Sequence, residues 1–227
     1  GTTLSNFEVN QGYKDIKDIA VTVKLPLLDD AGKVTDTSLL VWTTTPWTLP
    51  GNMAAAVNND FDYVTVAVKS DTGVEKYVLA KGRLAQLGEV PYEVLETVKG
   101  SSLVGRHYEP PFNYFAEEEF AGKEKAWTIY HADYVELGED GTGAVHIAPA
   151  FGEEDMQLAK EHGVPLKHHV DPEGRFIKSV TDFAGRLVKP KDDDASGIDH
   201  KDSDIEILKF LQATGKIFKK ENITHSY

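Results

Sequence analysis

The densest cluster of side chains able to grip a ligand is Thr43, Thr44, Thr45 and Thr48, framed by Trp42, Pro46, Trp47, Pro50 and Asn52. Each hydroxyl both donates and accepts, so such a row holds polar groups without introducing charge. Pro46 and Pro50 fix the backbone, which keeps the hydroxyls placed before a ligand arrives. The competing reading is a threonine-rich strand end whose hydroxyls satisfy turn backbone groups. A second cluster is GTGAVHIAPAFGEED at residues 141–155. A glycine turn feeds a strand, the strand stops at Pro149, and a helix starts near Gly152. His146 and Asp155 flank that junction. A carboxylate there can bind a ligand ammonium, and an imidazole can wall a pocket or orient water. Taken singly, each has a plainer reading: a hydrogen-bonded strand histidine, and a first-turn acid favoured by the helix dipole.

Other chemistries fail on spacing. The histidines include no HExxH, and His162, His168 and His169 are badly spaced for zinc. The absence of cysteine excludes disulfides, Fe–S clusters and thiolate zinc sites, and no metal or cofactor is expected. There is no GxSxG and no GxxxxGK[ST]. Glu117, Glu118 and Glu119 form a charge run that reads as a solvated face, and residues 189–194 (KPKDDD) read as a solvated loop without function. No nucleophile with a partnered base can be named, so a hydrolase here would work by positioning.

The elements that must hold these residues are mostly strands. Residues 20–25 are short and β-branched, and Asp29-Asp30-Ala31-Gly32 supplies a turn after them. Residues 38–44 form a nearly continuous apolar run closed by Pro46, as in a strand buried on both faces. Residues 63–68 and 76–80 pair as a hairpin across Asp71-Thr72-Gly73. Residues 92–98, 126–135 and 144–148 are further strand candidates. Helices are expected at 152–162, closed by Gly163, and at 203–214, with Ser203 or Asp202 as N-cap and Gly215 after the end. Residues 81–87 suggest a short third one. The fold class is therefore mixed and β-rich: a barrel or sandwich core with peripheral α-helices.

At 227 residues, with 41% hydrophobic and 10% aromatic residues, the chain has the apolar surface for one large domain. A net charge of −13 argues against a broad phosphate-binding face, so any nucleic-acid contact must be small and local. No apolar run approaches the ~18 residues a spanning helix needs, and the first ten residues are not a signal peptide, so no membrane is expected.

WTTTPWTLPGNMAAAV (residues 42–57) and GTGAVHIAPAFGEED closely resemble the editing domain inserted in isoleucyl-tRNA synthetase, a class I aminoacyl-tRNA synthetase. The resemblance extends to NFEVNQGYKDIKD (residues 6–18), VDPEGRF (170–176) and THSY (224–227), and so covers essentially the whole chain. The related valyl and leucyl enzymes carry an arginine after the paired threonines, whereas this chain reads Thr43-Thr44-Thr45-Pro46-Trp47. The resemblance implies a β-barrel core decorated by helices and a single editing domain over residues 1–227. HIGH-like and KMSKS-like signatures are absent, so the chain is expected to be a domain excised from a larger cytoplasmic synthetase, unable to form aminoacyl-adenylate.

What it implies chemically is proofreading. One methylene in an apolar pocket is worth only ~1–3 kcal/mol, a magnitude for which isoleucine against valine in this very family is the standard illustration. A second site would admit and hydrolyse the valine of valyl-tRNA(Ile), with valyl-adenylate as a further implied substrate, while isoleucine is too large to enter. The implied partners are the 3′-terminal aminoacyl-adenosine of tRNA(Ile), its valine moiety and the rest of the synthetase. By resemblance Asp155, read as a surface-near acid, pairs with the substrate ammonium. Thr43, Thr44 and Thr45 cradle the aminoacyl group and terminal adenosine, and these four are the expected catalytic set. Trp47, Thr48 and Asn52 belong to the same pocket, His146 closes it against isoleucine, and Phe151 packs nearby. The alternative is a non-catalytic module of the same fold that only binds the aminoacylated 3′ end.

Overall fold

The structure is a computed structural model, and residues 15–226 are described. Residues 6–14 of the NFEVNQGYKDIKD segment and Tyr227 of THSY lie outside that range. Among the described residues nine strands form one sheet: β1 (Asp15–Leu28), β2 (Val34–Thr43), β3 (Ala54–Val57), β4 (Asp62–Ser70), β5 (Gly73–Ala80), β6 (Tyr92–Lys99), β7 (Thr128–His131), β8 (Val145–Ile147) and β9 (Ile217–Ser226). Their order is β6-β4-β5-β2-β8-β3-β7, with β1 on the other edge of β2 and β9 beyond it.

The key to the shape is β2. One of its edges carries β1 antiparallel, with Val23 opposite Val41 and Val21 opposite Thr43. Its other edge is shared, with β5 parallel at Thr37 to Leu39 and β8 parallel at Trp42. The sheet therefore splits into two branches at the end of β2 and curls, so that the expected barrel core takes the form of a half-barrel. The β1–β2 turn closes as its sequence predicts. The Asp29 carboxylate accepts the N–H groups of Ala31 and Lys33, and Gly32 sits at φ +81°. A main core of Val21, Val23, Leu25, Leu39, Val41, Leu49 and Ile129 lies inside the curl and continues onto Ile207, Leu208 and Leu211 of helix α2 (Asp202–Ala213). A second cluster places Leu158 and Ala159 of helix α1 (Glu153–His162) against Met53, Ala54 and Ile147.

Several expectations need correction. The strand expected over 126–135 contracts to Thr128–His131, because Trp127 adopts φ 51° and the chain leaves the ladder after His131. Residues 81–87 form 3-10 turns broken at Arg83 rather than one helix. Neither Ser203 nor Asp202 caps α2: Lys201 stands at the cap, and the Ser203 hydroxyl donates to Leu187 O instead. Gly163 and Gly215 do close their helices, at φ +69° and +74°. Among the described residues no helix is long and apolar enough to cross a membrane.

Candidate functional site

The site is assembled where β2 and β8 end side by side. Their parallel pairing at Trp42 and Val145 sends both chains out at the same edge. From β2 emerge Thr43, Thr44 and Thr45, then a 3-10 turn at Pro46–Gly51 carrying Trp47 and Thr48, then Asn52. From β8, which carries His146, a 3-10 turn at Pro149–Phe151 leads to Gly152 and the first turn of α1 with Asp155. The two segments singled out in the sequence thus meet at one edge. Phe151 meets the Trp47 indole edge-on, centroids 5.3 Å apart.

A hydrogen-bonded chain runs through the polar residues. Thr43 Oγ1 lies 3.3 Å from Thr45 Oγ1, which lies 3.2 Å from Thr48 Oγ1. Thr48 Oγ1 lies 2.8 Å from His146 Nε2, and His146 Nδ1 lies 2.7 Å from Asn52 Nδ2. The Tyr108 hydroxyl donates to Asn52 Oδ1 at 2.6 Å. Fixed acceptors assign every proton. Asn52 Nδ2 also donates to Ala54 O, so its amide cannot be turned round, and both its protons are spent on Ala54 O and His146 Nδ1. His146 is therefore the Nε2–H tautomer, donating to Thr48. The Thr48 hydroxyl donates to Thr45 O at 2.8 Å, so Thr45 must donate to Thr48 and Thr43 to Thr45. All three hydroxyl protons are spent within the row.

The consequence divides the threonines by role. Thr48 accepts from both Thr45 and His146, which exhausts its lone pairs. Thr43 accepts the Thr45 N–H and keeps one lone pair, and Thr45, exposed at the rim, also keeps one. Thr44 makes no side-chain hydrogen bond among the described residues and has its hydroxyl free in both senses. Burial pushes the His146 imidazole down to about 3, with His169 adding to the effect, so it is neutral at physiological pH. Both its nitrogens are occupied, so it cannot take a proton from water. Asp155 is half-buried rather than surface-near. Its Oδ2 accepts the Ala148 N–H at 2.9 Å, and burial pushes its carboxyl up to about 6 despite that bond, with Glu154 also raising it.

Four residues of this neighbourhood escape sequence reasoning. Tyr108 lies far from both segments, and no local signal marks it. His169 donates to Trp47 O at 2.9 Å, whereas spacing invites only a judgement on zinc. Asp204 accepts the Trp47 N–H at 3.0 Å, and Lys189 of the KPKDDD run reaches Asp204 at 3.2 Å. The run is exposed as expected, but its first residue, Lys189, is held in ion pairs with Asp204 and Asp18. Beside α1 lies a groove of about 720 Å³ whose walls include Asp133, Glu153, Glu154 and Glu161, an acidic flank that would repel phosphate.

No protein-family model matches the chain. The isoleucine–tRNA ligase of Bdellovibrio bacteriovorus is 42% identical over 229 residues, covering 100% of this chain and 20% of that protein. Those of Chlamydia abortus and Clostridium novyi are 42% and 41% identical, again over 100% of this chain and 20% and 19% of theirs. The chain spans about one fifth of the length of these curated relatives. In fold it is similar to the crystal structure of GlLeuRS-CP1, with TM-score 0.60 at 14% identity over 89% of this chain and 98% of that one. It is also similar to the Plasmodium falciparum (P.falciparum) cytosolic leucyl-tRNA synthetase editing domain, with TM-score 0.55 at 10% identity over 88% and 99%.

Proposed function

We propose that the chain, 42% identical to an isoleucine–tRNA ligase over a fifth of that protein, is the editing domain of such a ligase, one unit over residues 1–227, and that it hydrolyses valine from mischarged tRNA(Ile). The observation that carries the reading is the hydrogen-bonded row from Thr43 to His146, set at one strand edge, with Phe151 against Trp47 and Asp155 held on the Ala148 N–H just past β8. The likeness to leucyl-tRNA synthetase editing domains supports the fold this requires.

The protons assigned above give each residue a task. Asp155, ionised above about 6, holds the α-ammonium of the aminoacyl ester. The remaining lone pairs of Thr43 and Thr45 accept from a ribose hydroxyl or from water, and the free Thr44 hydroxyl serves either sense. Trp47 and Phe151 supply the apolar wall. His146, held by Thr48 and Asn52 and unable to act as a base, limits the size of the acyl side chain. An aminoacyl ester is already activated, so orienting one water at its carbonyl and stabilising the developing charge can supply several kcal/mol without a covalent intermediate. Valyl-adenylate offers the same ammonium and side chain to the pocket. The rest of a cytoplasmic synthetase would deliver the tRNA 3′ end.

The direct test is incubation of the chain with valyl-tRNA(Ile): free valine should accumulate, and a chain that only binds the aminoacylated end would leave the ester intact. Binding itself should be weak. With a net charge of −13 and an acidic groove flanking α1, affinity should fall with salt as for only about two or three phosphate contacts. A steep slope would place the tRNA on a basic surface that the site does not offer. The rate should also report the acid. kcat/KM for deacylation should rise with pH through a limb centred at about 6, as Asp155 ionises. His146 and His169, held down to about 3 and about 4, are neutral throughout that limb. Asp204 titrates in the same range, and Asp204→Asn should leave the limb in place. A limb centred well below about 6 would detach this half-buried acid from the ammonium.

A further inference from the structure

We propose that Asp204 and His169 are positioning residues that clamp the backbone of Trp47 from both sides, and that this clamp sets the selectivity of the pocket. The inference rests on the editing reading of the site and goes beyond it to two residues outside the threonine and histidine segments.

Both residues come from distant parts of the chain and converge on one amino acid. Asp204, on the first turn of α2 and fully buried, accepts the Trp47 N–H through Oδ1 at 3.0 Å. Its Oδ2 faces Lys189 Nζ at 3.2 Å, and the same ammonium meets Asp18 Oδ1 at 2.9 Å. An acid in the first turn of a helix ordinarily serves its own helix. Asp204 instead spends one oxygen on another element and keeps the other on a counter-ion, without which a buried carboxylate is costly. His169, also fully buried, donates from Nε2 to Trp47 O at 2.9 Å. A carbonyl only accepts, so the proton is on Nε2 and Nδ1 is a bare acceptor.

That Nδ1 has no partner among the described residues. It is packed against Gly51, where a Cβ would stand 2.2 Å from it. A phenylalanine ring would fill the same space between Phe151 and Phe176, whose centroids lie 4.9 and 5.9 Å away, with no unpaired nitrogen of its own. What histidine adds over that apolar ring is the single bond to Trp47 O, bought with an unsatisfied buried nitrogen. The clamp has a readable consequence. Trp47 presents its indole to Phe151, and the next residue, Thr48, receives the His146 proton. If Trp47 shifts, the apolar wall and the size-limiting imidazole both loosen, while Asp155 on α1 keeps its place. Discrimination between acyl chains should therefore suffer more than binding of the ammonium.

The test pairs an isosteric loss with a conservative rescue. His169→Phe keeps the ring and removes the donor, whereas His169→Gln returns a donor at similar reach. Asp204→Ala removes the acceptor, whereas Asp204→Asn restores it without charge. Each full-length variant is followed by hydrogen exchange at the Trp47 amide and by the ratio of kcat/KM for valyl- over isoleucyl-tRNA(Ile). We expect His169→Phe and Asp204→Ala to speed Trp47 exchange with β1 and β4 amides unchanged. We also expect the ratio to fall about tenfold, as a small misplacement of site groups does, and Gln and Asn to recover most of it. Gly51→Ala, which must displace His169, should behave as His169→Phe does. A native ratio in His169→Phe and Asp204→Ala overturns the proposal, even with a loosened Trp47 amide, since both residues would then be purely structural. If one pair fails to fold, the other decides. Should the unaltered chain release no valine, the editing reading fails on its own, and Trp47 exchange still judges the clamp.

Discussion

Asp155→Ala should cut deacylation of valyl-tRNA(Ile) by roughly thirty- to three-hundredfold while the protein remains folded. Removing one partner of a desolvated charge pair costs about 2–5 kcal/mol, and the lower half of that range suits an acid that is only half-buried. Each ~1.4 kcal/mol is a factor of ten in rate. The stability side has a definite sign. The Asp155 carboxyl is pushed up to about 6, so the folded chain holds its proton more tightly than the unfolded chain does. Its contribution to stability is complete below the ordinary carboxylate value and is lost as pH rises through about 6. At neutral pH the ionised acid therefore opposes folding, and alanine removes that penalty. It forfeits only one bond, to the Ala148 N–H. A thermal midpoint at pH 7 close to that of the unaltered chain, with valine release nearly gone, is the expected pair of results. Undiminished release with native circular dichroism would remove Asp155 from the mechanism.

His146→Ala should bring isoleucyl-tRNA(Ile) into the pocket and raise its hydrolysis at least about tenfold, the scale on which one methylene is discriminated. Two effects act together in this variant. The ring that limits acyl size disappears, and the Asn52 amide loses the acceptor that lay at 2.7 Å. An orphaned buried donor costs about 1–3 kcal/mol, so the variant should also melt earlier. His146→Phe separates the effects. It keeps the bulk and breaks the hydrogen bonds, so it should still spare isoleucine while showing the loss of stability. If His146→Ala continues to reject isoleucyl-tRNA, the imidazole is a structural link in the threonine row and the size limit lies elsewhere.

The parts of this site legible in sequence are those in which chemistry is dense over a short span. The threonines, Trp47 and Asn52 share one turn, and His146, Phe151 and Asp155 share one strand-to-helix junction, so local spacing sufficed to collect them. That the two groups meet depends on the parallel bridge between Trp42 and Val145, which no local pattern encodes. Long-range partners were invisible for the same reason. Tyr108, His169 and Asp204 each contribute one side chain from segments whose local composition is ordinary, and Lys189 hides within a charge run. In the fold, β1 and β2 announced themselves through apolar runs and a glycine turn. β3 did not, because Ala54, Ala55 and Ala56 favour a helix by propensity and become a strand only through burial between β7 and β8. β9 carries Lys219, Lys220 and Glu221, and its strand character comes from pairing with β1 rather than from an apolar stripe.

The account stands on a pocket that accepts one branched acyl chain and rejects another one methylene larger. The decisive measurement follows the unaltered chain acting on valyl- and isoleucyl-tRNA(Ile) side by side, under single-turnover conditions. The account predicts valine release with the isoleucyl ester surviving at its spontaneous rate. Equal hydrolysis of both esters, or survival of both, would contradict it.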